Sequence, residues 1–136
     1  MKFTLIRHDR ADIQAQFSFL RPAFNGVPAA KYEYQFCRDA VISKQASFYQ
    51  LKGRGVAVRF VGLVTDSNDY LILALTGRGL KQAVPHIIRA VQSQGYSSLR
   101  YHTVRPGMTR MLRALGFQRI RQEQPETVMS LDLGVK

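Results

Sequence analysis

Residues 70–83 read YLILALTGRGLKQA, and this stretch decides the architecture of the chain. Its first six residues are apolar without alternation, which is typical of a central strand covered on both faces. Gly77 and Gly79 then mark a loop, and from Leu80 the apolar residues recur at helical spacing. A buried strand followed by a glycine loop and an amphipathic helix predicts an α/β chain.

On either side of this unit the chain alternates strand and helix patterns. The predicted order is β-α-α-β-β-β-α-β-α-β-β, an α/β (α+β) mixed sheet with helices on both of its faces. Short apolar or alternating runs predict strands at residues 3–7, 47–51, 56–64, 70–75, 99–104, 117–120 and 128–133.

The helices are predicted from their end signals and apolar spacing. Asp9 is the expected N-cap of a first helix that Pro22 ends, and a second helix surrounds Cys37 with Glu33 on its solvent side. A third helix carries the stripe of Leu80, Val84, Ile87, Ile88 and Val91, and Pro106 starts a fourth helix as its first residue.

Length and composition predict a single domain, residues 1–136. A chain of this size can build a full hydrophobic core. Cys37 is the only cysteine, so no internal disulfide can form, and we expect a buried thiol and a cytoplasmic setting. No run of residues reaches the roughly 18 apolar positions of a membrane span, so we expect no membrane association.

The charge balance is strongly basic, with 20 Lys and Arg against 9 Asp and Glu, a formal +11. Between Arg78 and Arg121 there are nine basic residues and no acidic one. Such a field favours phosphates, nucleic acid or acidic proteins and peptides as partners. On this basis we expect acidic partners rather than polyamines.

Residues 70–133 carry three local signals that resemble the GNAT superfamily of acyl-CoA N-acyltransferases. The first is the buried strand that runs into the loop 78–83, RGLKQA, where the family has Arg/Gln-x-x-Gly-x-Gly/Ala. The second is the spacing through Gly95 to the strand at 99–104. The third is Leu115-Gly116-Phe117, similar to the family's exit from a helix into a strand.

The resemblance implies acetyl-CoA as the cofactor, or co-substrate, with its pyrophosphate held by the loop. The amides at a helix N-terminus, with Arg78 and Lys81 beside them, suit a phosphate in any case. We expect a bulky residue at Gly79 to abolish cofactor binding and leave the fold intact. The resemblance implies backbone groups of Leu73 to Leu75 at the thioester, and these cofactor-binding candidates: Leu73, Leu75, Gly77, Arg78, Gly79, Lys81, Gln82 and Ala83.

The catalytic residues do not follow from the family pattern. Where many members have a Tyr and an Asn, this chain has Leu112 and Arg105, and Lys81 replaces the central glycine of the loop. Tyr101, His102 and Glu33 are weak candidates for the acid and base. Tyr101 and His102 are adjacent on a strand, so alternation predicts that only one of them faces the site. The three scattered His and single Cys predict no metal site.

Three functions remain open on the sequence. The first is an acetyl-CoA-dependent N-acetyltransferase. The second is a catalytically inactive GNAT-fold protein with an interaction or virion role, such as a phage-encoded one. The third is a basic nucleic-acid-binding protein, supported by the acid-free stretch 78–121.

Overall fold

The computed structural model describes residues 1–134 and contains the predicted elements in the predicted order. A 3₁₀ turn at Arg21–Phe24 is an addition between the first two helices. The elements are β1 Lys2–Leu5, α1 Ile13–Ser18, α2 Ala30–Ile42, β2 Ala46–Gly53, β3 Val56–Val64, β4 Asp69–Arg78, α3 Leu80–Ser93, β5 Ser98–Thr103, α4 Pro106–Ala114, β6 Gln118–Glu123 and β7 Glu126–Asp132.

The seven strands form one mixed sheet in the order β1-β2-β3-β4-β5-β7-β6. The β4–β5 pair is parallel, and the other five neighbouring pairs are antiparallel. Helix α3 makes the crossover between the two parallel strands, as a parallel pair requires. The mixed sheet predicted from the sequence is confirmed.

Helices cover both faces of this sheet, so the core has two halves. On one face, Phe17 and Leu20 from the α1 region and Cys37 from α2 pack on Phe48 of β2. On the other face, α3 and α4 pack on a second cluster that includes Leu99 of β5. The predicted α3 stripe is the inner face of that helix: Val84, Ile87 and Val91 are buried, and Leu80 and Ile88 are partly buried against the same cluster.

The first helix differs from its prediction at both ends. Asp9 does not cap it: the Asp9 carboxylate pairs with Arg7, and the residue before the helix is Asp12. The helix stops at Ser18, and Pro22 lies inside the 3₁₀ turn that follows. A short helix leaves the chain free to bend over the end of the sheet, where the candidate site lies.

The second helix faces the core with small residues and leaves two of its aromatic residues outside. Cys37, Ala40 and Val41 are buried, whereas Tyr32 and Phe36 are 68% and 45% exposed. Two large aromatic side chains are therefore left beside Glu33 on the outer side of the helix.

Candidate active site

The centre of the sheet opens where β4 and β5 separate. The two strands pair from Asp69–Ser98 to Ile72–Tyr101, and their register ends there. Beyond this point β4 stays with β3 as far as Arg78, and β5 stays with β7 as far as Thr103. A wedge-shaped gap therefore forms between the carboxyl-terminal ends of two adjacent parallel strands, the usual place for a ligand in an open α/β sheet.

A β-bulge at Leu73 lies at the point of the wedge. In the β3–β4 register, Val61 pairs with Ala74 and Gly62 with Ile72, so Leu73 is the extra residue and has no partner on β3. It also lies one residue past the last pair with β5. Alternate backbone groups of β4 beyond Ile72 face the gap instead of a neighbouring strand. Leu75 keeps its register partner Phe60, and its side chain is buried in the core.

A cavity of about 380 Å³ occupies the α2 side of this gap. It brings together all three weak catalytic candidates, Glu33, Tyr101 and His102, with the bulged Leu73. These residues come from α2, β4 and β5, and they are up to 69 positions apart in the chain. The separation of the strands is what makes them neighbours.

His102 has an acidic partner in this cavity. Its Nδ1 lies 3.5 Å from Oε2 of Glu126, the first residue of β7, and both side chains are partly exposed. A carboxylate beside Nδ1 orients the ring and stabilises the imidazolium, which leaves Nε2 as the atom that accepts a proton. The pair has the arrangement of a general base and its orienting group.

Tyr101 lines the same cavity from the opposite face of β5. Its ring is packed in the α3–α4 half of the core and the residue is 8% exposed. Burial raises the pKa of its hydroxyl to about 12, and nearby Arg105 partly offsets this. The two side chains lie on opposite faces of β5, as alternation predicts: Tyr101 packs in the α3–α4 half of the core, and His102 faces Glu126.

The Tyr101 hydroxyl has no hydrogen-bond partner within residues 1–134. The hydroxyl oxygen is not completely shielded from solvent. Within residues 1–134, the only side-chain nitrogen or oxygen that is both shielded from solvent and unpaired is Nε of Arg38. A buried tyrosine normally hydrogen-bonds through its hydroxyl. The hydroxyl of Tyr101 is thus left to solvent or to a ligand.

The predicted phosphate loop is at the start of α3. Arg78, Lys81 and Gln82 are exposed, and Gly79 is the left-handed residue before the helix, with φ +79°. The amides of Gln82 and Ala83 both donate to the Gly79 carbonyl, at 3.1 and 2.9 Å. Ala83 is also fully buried. The groups that remain for a phosphate are the amides of the helix's first two residues and the side chains of Arg78 and Lys81.

The two loop glycines have a structural role that the sequence did not indicate. A Cβ on Gly77 would lie 2.2 Å from the Ala57 carbonyl oxygen, and a Cβ on Gly79 would lie 2.4 Å from that of Gly55. Both glycines thus let β4 approach the start of β3 of the same chain. We therefore expect a bulky residue at Gly79 to strain the fold, and not only to block a cofactor.

The positions where the family pattern has its Tyr and Asn are occupied by structural residues. Leu112 is 2% exposed in the core beneath α4. Arg105 donates from Nη2 to the Pro22 carbonyl oxygen at 2.5 Å, which ties the end of β5 to the 3₁₀ turn. Neither residue lines the cavity.

Solved structures with this architecture are acetyltransferases. The chain superposes on an "IAA acetyltransferase" from Bacillus cereus with a TM-score of 0.70 and 13% identity, covering 96% of this chain and 98% of that one. It superposes on the ribosomal-protein-S18-alanine N-acetyltransferase from Escherichia coli with a TM-score of 0.66 and 13% identity, over 99% and 96%. This chain has the GNAT fold.

A third structure with this fold was solved in complex with coenzyme A. The PaiA N-acetyltransferase from Thermoplasma acidophilum, in complex with coenzyme A, matches with a TM-score of 0.67 and 10% identity, over 97% of this chain and 99% of that one. No family model and no curated protein matches the sequence. At these identities the likeness establishes the fold, and the activity has to be argued from the site.

Two site residues escaped the sequence analysis. Glu123 and Glu126 both line the cavity, from the end of β6 and the start of β7. They flank the turn at Gln124-Pro125, which by sequence was an ordinary polar connection between strands. Their one sequence signal is that they are two of only three glutamates in the chain.

Other classes of site find no support within residues 1–134. There is no group of three or more His, Cys, Asp and Glu side chains that could hold a metal ion. The helices in the same range are too short or too polar for any of them to cross a bilayer.

Proposed function

We propose that residues 1–136 are a single acyltransferase domain that moves an acetyl group from acetyl-CoA to an amine. The observation that carries the proposal is the gap between β4 and β5, with the bulge at Leu73 on one edge and Tyr101 and the His102–Glu126 pair on the other. A cytoplasmic setting accompanies it, supported by a buried free thiol at Cys37.

The binding of acetyl-CoA would rest on both ends of the gap. Arg78, Lys81 and the first amides of α3 would hold the phosphates, and unpaired backbone groups of β4 from Leu73 onward would hydrogen-bond the extended chain that leads to the thioester. When bound, acetyl-CoA supplies an acyl carbon activated by its thioester. The peptide N–H groups at the bulge would then polarise that carbonyl.

The side chains would handle the protons. A C–N bond to the acceptor forms and the C–S bond breaks, so an ammonium acceptor must lose two protons and the thiolate must gain one. His102, held by Glu126, would accept a proton from the acceptor nitrogen. Tyr101, which its raised pKa keeps protonated, would donate to the departing sulfur.

Ligand-dependent melting tests the cofactor site directly. Acetyl-CoA at about a hundred times its dissociation constant should add roughly 2.7 kcal/mol, a shift of several degrees, while ATP should add much less. Arg78→Ala should weaken acetyl-CoA binding about tenfold or more, because it removes a charge-assisted phosphate contact. Arg119→Ala, which removes an exposed charge from β6, is the matched control.

The other outcomes decide between the alternatives. Equal shifts with acetyl-CoA and ATP would contradict a specific cofactor site and favour polyanion binding, including nucleic acid. No shift with either would favour the inactive interaction or virion role. If acetyl-CoA binds, release of free thiol with an amine acceptor should fall about ten- to a hundredfold in Tyr101→Phe. Tyr96→Phe, which also lies against the core but away from the cavity, should leave that rate unchanged.

A further inference from the structure

A second cavity, of about 350 Å³, lies on the α3 side of the sheet, away from the gap between β4 and β5. Its floor is formed by β2, β3 and the start of β4, and its wall by the second half of α3, where Ile87, Ala90 and Val91 face it. The proposed phosphate loop is at the other end of this helix. The two cavities share no lining residue, so this one needs a separate explanation.

Five aromatic rings line this second cavity, which we call the aromatic cavity. The ring of Phe60 lies between Phe3, edge-on with ring centroids 6.3 Å apart, and Tyr49, stacked at 5.5 Å. The rings of Tyr70 and Tyr96 contact each other at 5.4 Å. Such rings offer flat apolar faces, and each tyrosine adds a hydroxyl at the edge of its ring. The lining therefore suits a flat apolar ligand.

The position of the Tyr70 hydroxyl in this cavity follows from the glycine beside it. Tyr70 is 8% exposed. A Cβ on Gly62 would lie 2.3 Å from Cε1, Cζ and the hydroxyl oxygen of Tyr70, so the phenol end of the ring lies directly over Gly62. Gly62 is itself a lining residue of the aromatic cavity. Its backbone is not left-handed, so the ring of Tyr70 is what requires a glycine here.

The Tyr70 hydroxyl makes no hydrogen bond within residues 1–134. Its oxygen is not completely shielded, because Nε of Arg38 is the only shielded and unpaired side-chain atom in that range. Burial raises the pKa of Tyr70, and the nearby Tyr49 and Tyr96 raise it further, so the hydroxyl keeps its proton. An unpaired donor on a residue this buried is unfavourable, and a ligand that accepts its hydrogen bond removes the penalty.

No charged side chain lines the aromatic cavity in the described part of the chain. Its other polar side chains, Gln45, Ser47 and Gln94, are exposed and form the rim. A charged ligand would lose hydration here and gain no ion pair. A cation would find aromatic faces, but no carboxylate, in a protein with a net charge of +11. The lining therefore favours an uncharged ligand.

We propose that the aromatic cavity binds an uncharged, planar aromatic molecule of one or two rings. Its faces would stack on the tyrosine and phenylalanine rings, and an acceptor atom at its edge would take the hydrogen bond from Tyr70. The volume of about 350 Å³ is in the range of small-molecule sites. This second ligand site is separate from the proposed acetyl-CoA site and does not depend on acetyl transfer.

Calorimetric titration with 2-naphthol tests the inference. This probe has two flat fused rings and one hydroxyl that is uncharged at neutral pH. Decahydro-2-naphthol keeps the carbon skeleton and the hydroxyl but has no flat ring, so it should bind about tenfold more weakly. The anion 2-naphthoate and the cation tetramethylammonium should also bind at least about tenfold more weakly, at a physiological salt concentration that screens the overall charge.

A matched pair of tyrosine variants tests the hydrogen bond. Tyr70→Phe removes one hydroxyl and keeps the ring, so it should weaken 2-naphthol binding about fivefold. Tyr34→Phe makes the same change in a half-buried tyrosine that packs on Phe24 in the other half of the core. It should leave the binding of 2-naphthol unchanged.

A second pair tests the location of the site. Ala90→Phe adds a ring to a half-buried lining position, so it should fill the cavity and abolish binding. Ser93→Phe adds the same ring at an exposed position of the same helix that does not line the cavity, and binding should persist. Thermal melting checks that each variant is folded.

Each result supports or overturns the inference. Binding of 2-naphthol that Tyr70→Phe weakens and Ala90→Phe abolishes, with both controls unaffected, supports it. No binding of 2-naphthol, tighter binding of either charged probe, or full affinity in Tyr70→Phe overturns it. If Ala90→Phe does not fold, the tyrosine pair still decides. Acetyl-CoA is absent from these titrations, so their failure would leave the proposed acetyl transfer untouched.

Discussion

At the scale of single residues, Tyr101 combines a packed ring with an unpaired hydroxyl. The ring contributes to the α3–α4 half of the core, and the residue also lines the cavity in the gap. Burial is the main cause of its raised pKa. Because of this raised pKa, the contribution of Tyr101 to the free energy of unfolding should depend on pH in the alkaline range.

We predict that part of the alkaline loss of stability comes from Tyr101. Its pKa is about 12 in the folded chain and 10.0 in an unperturbed tyrosine, so between these values the folded state keeps a proton that the unfolded state has lost. The contribution is complete below pH 10 and is lost as pH rises towards 12. Urea unfolding at pH 9 and pH 11 should show about 1 kcal/mol less decline in Tyr101→Phe than in the wild type. Equal declines would contradict a buried, neutral Tyr101.

Gly79 is the residue at which substitution should damage the fold most specifically. Gly79 and Gly95 have similar left-handed conformations, with φ of +79° and +86°. A Cβ at Gly79 would lie 2.4 Å from the Gly55 carbonyl oxygen, whereas one at Gly95 would meet nothing within 4 Å. Gly95→Ala thus measures the backbone cost alone, about 1 kcal/mol.

We predict that Gly79→Ala lowers the free energy of unfolding by at least about 2 kcal/mol more than Gly95→Ala does, since the β3–β4 contact must open to admit the methyl group. Chemical denaturation of both variants measures the difference. Equal losses would mean that the approach of β4 to β3 at this point is not tight.

At the scale of elements, α3 contains a proline near its start. The helix starts at Leu80, so Pro85 is its sixth residue. The carbonyl of Lys81 therefore has no amide donor four residues ahead, since proline has no N–H. Pro85 therefore lies past the first turn, the only part of a helix in which a proline costs no hydrogen bond.

We predict that Pro85→Ala stabilises the protein by about 1 kcal/mol, the net of a restored helix hydrogen bond and a more flexible unfolded chain. Pro28→Ala, in the exposed loop before α2, should be neutral or destabilising because it changes only the unfolded chain. Thermal and urea unfolding compare the two. A loss of stability in Pro85→Ala would show that the proline is needed where it stands.

At the scale of the whole molecule, a uniform excess of positive charge surrounds a cavity lined by carboxylates. The excess should draw polyanions, the proposed acetyl-CoA among them, towards the protein. The same excess repels itself in the folded state, and that repulsion depends on salt.

We predict that the melting temperature rises by a few degrees between about 50 and 500 mM NaCl, because salt screens this repulsion. The double variant Lys31→Glu with Arg119→Glu changes two exposed basic residues and lowers the net charge by 4, from +11 to +7. Its rise with salt should be smaller. A melting temperature that falls with salt in the wild type would contradict the prediction.

The sequence by itself determined the order of the elements, the mixed sheet and the helices on both faces. These follow from local information: the apolar run at residues 70–75, the glycines that follow it and the helical stripe from Leu80 to Val91. It also correctly predicted a buried Cys37, which is 1% exposed. Each of these signals lies within one element or between neighbours in the chain.

Only the tertiary structure decided the site. Strands β4 and β5 separate after Ile72, and this brings four residues to one cavity: Glu33, Tyr101, His102 and Glu126. The sequence of either strand alone does not determine where their pairing ends. Whether Gly77 and Gly79 face a ligand or β3 likewise depended on how closely two strands pack. Local patterns specify elements, but distances between residues far apart in the chain are set by packing of the whole sheet.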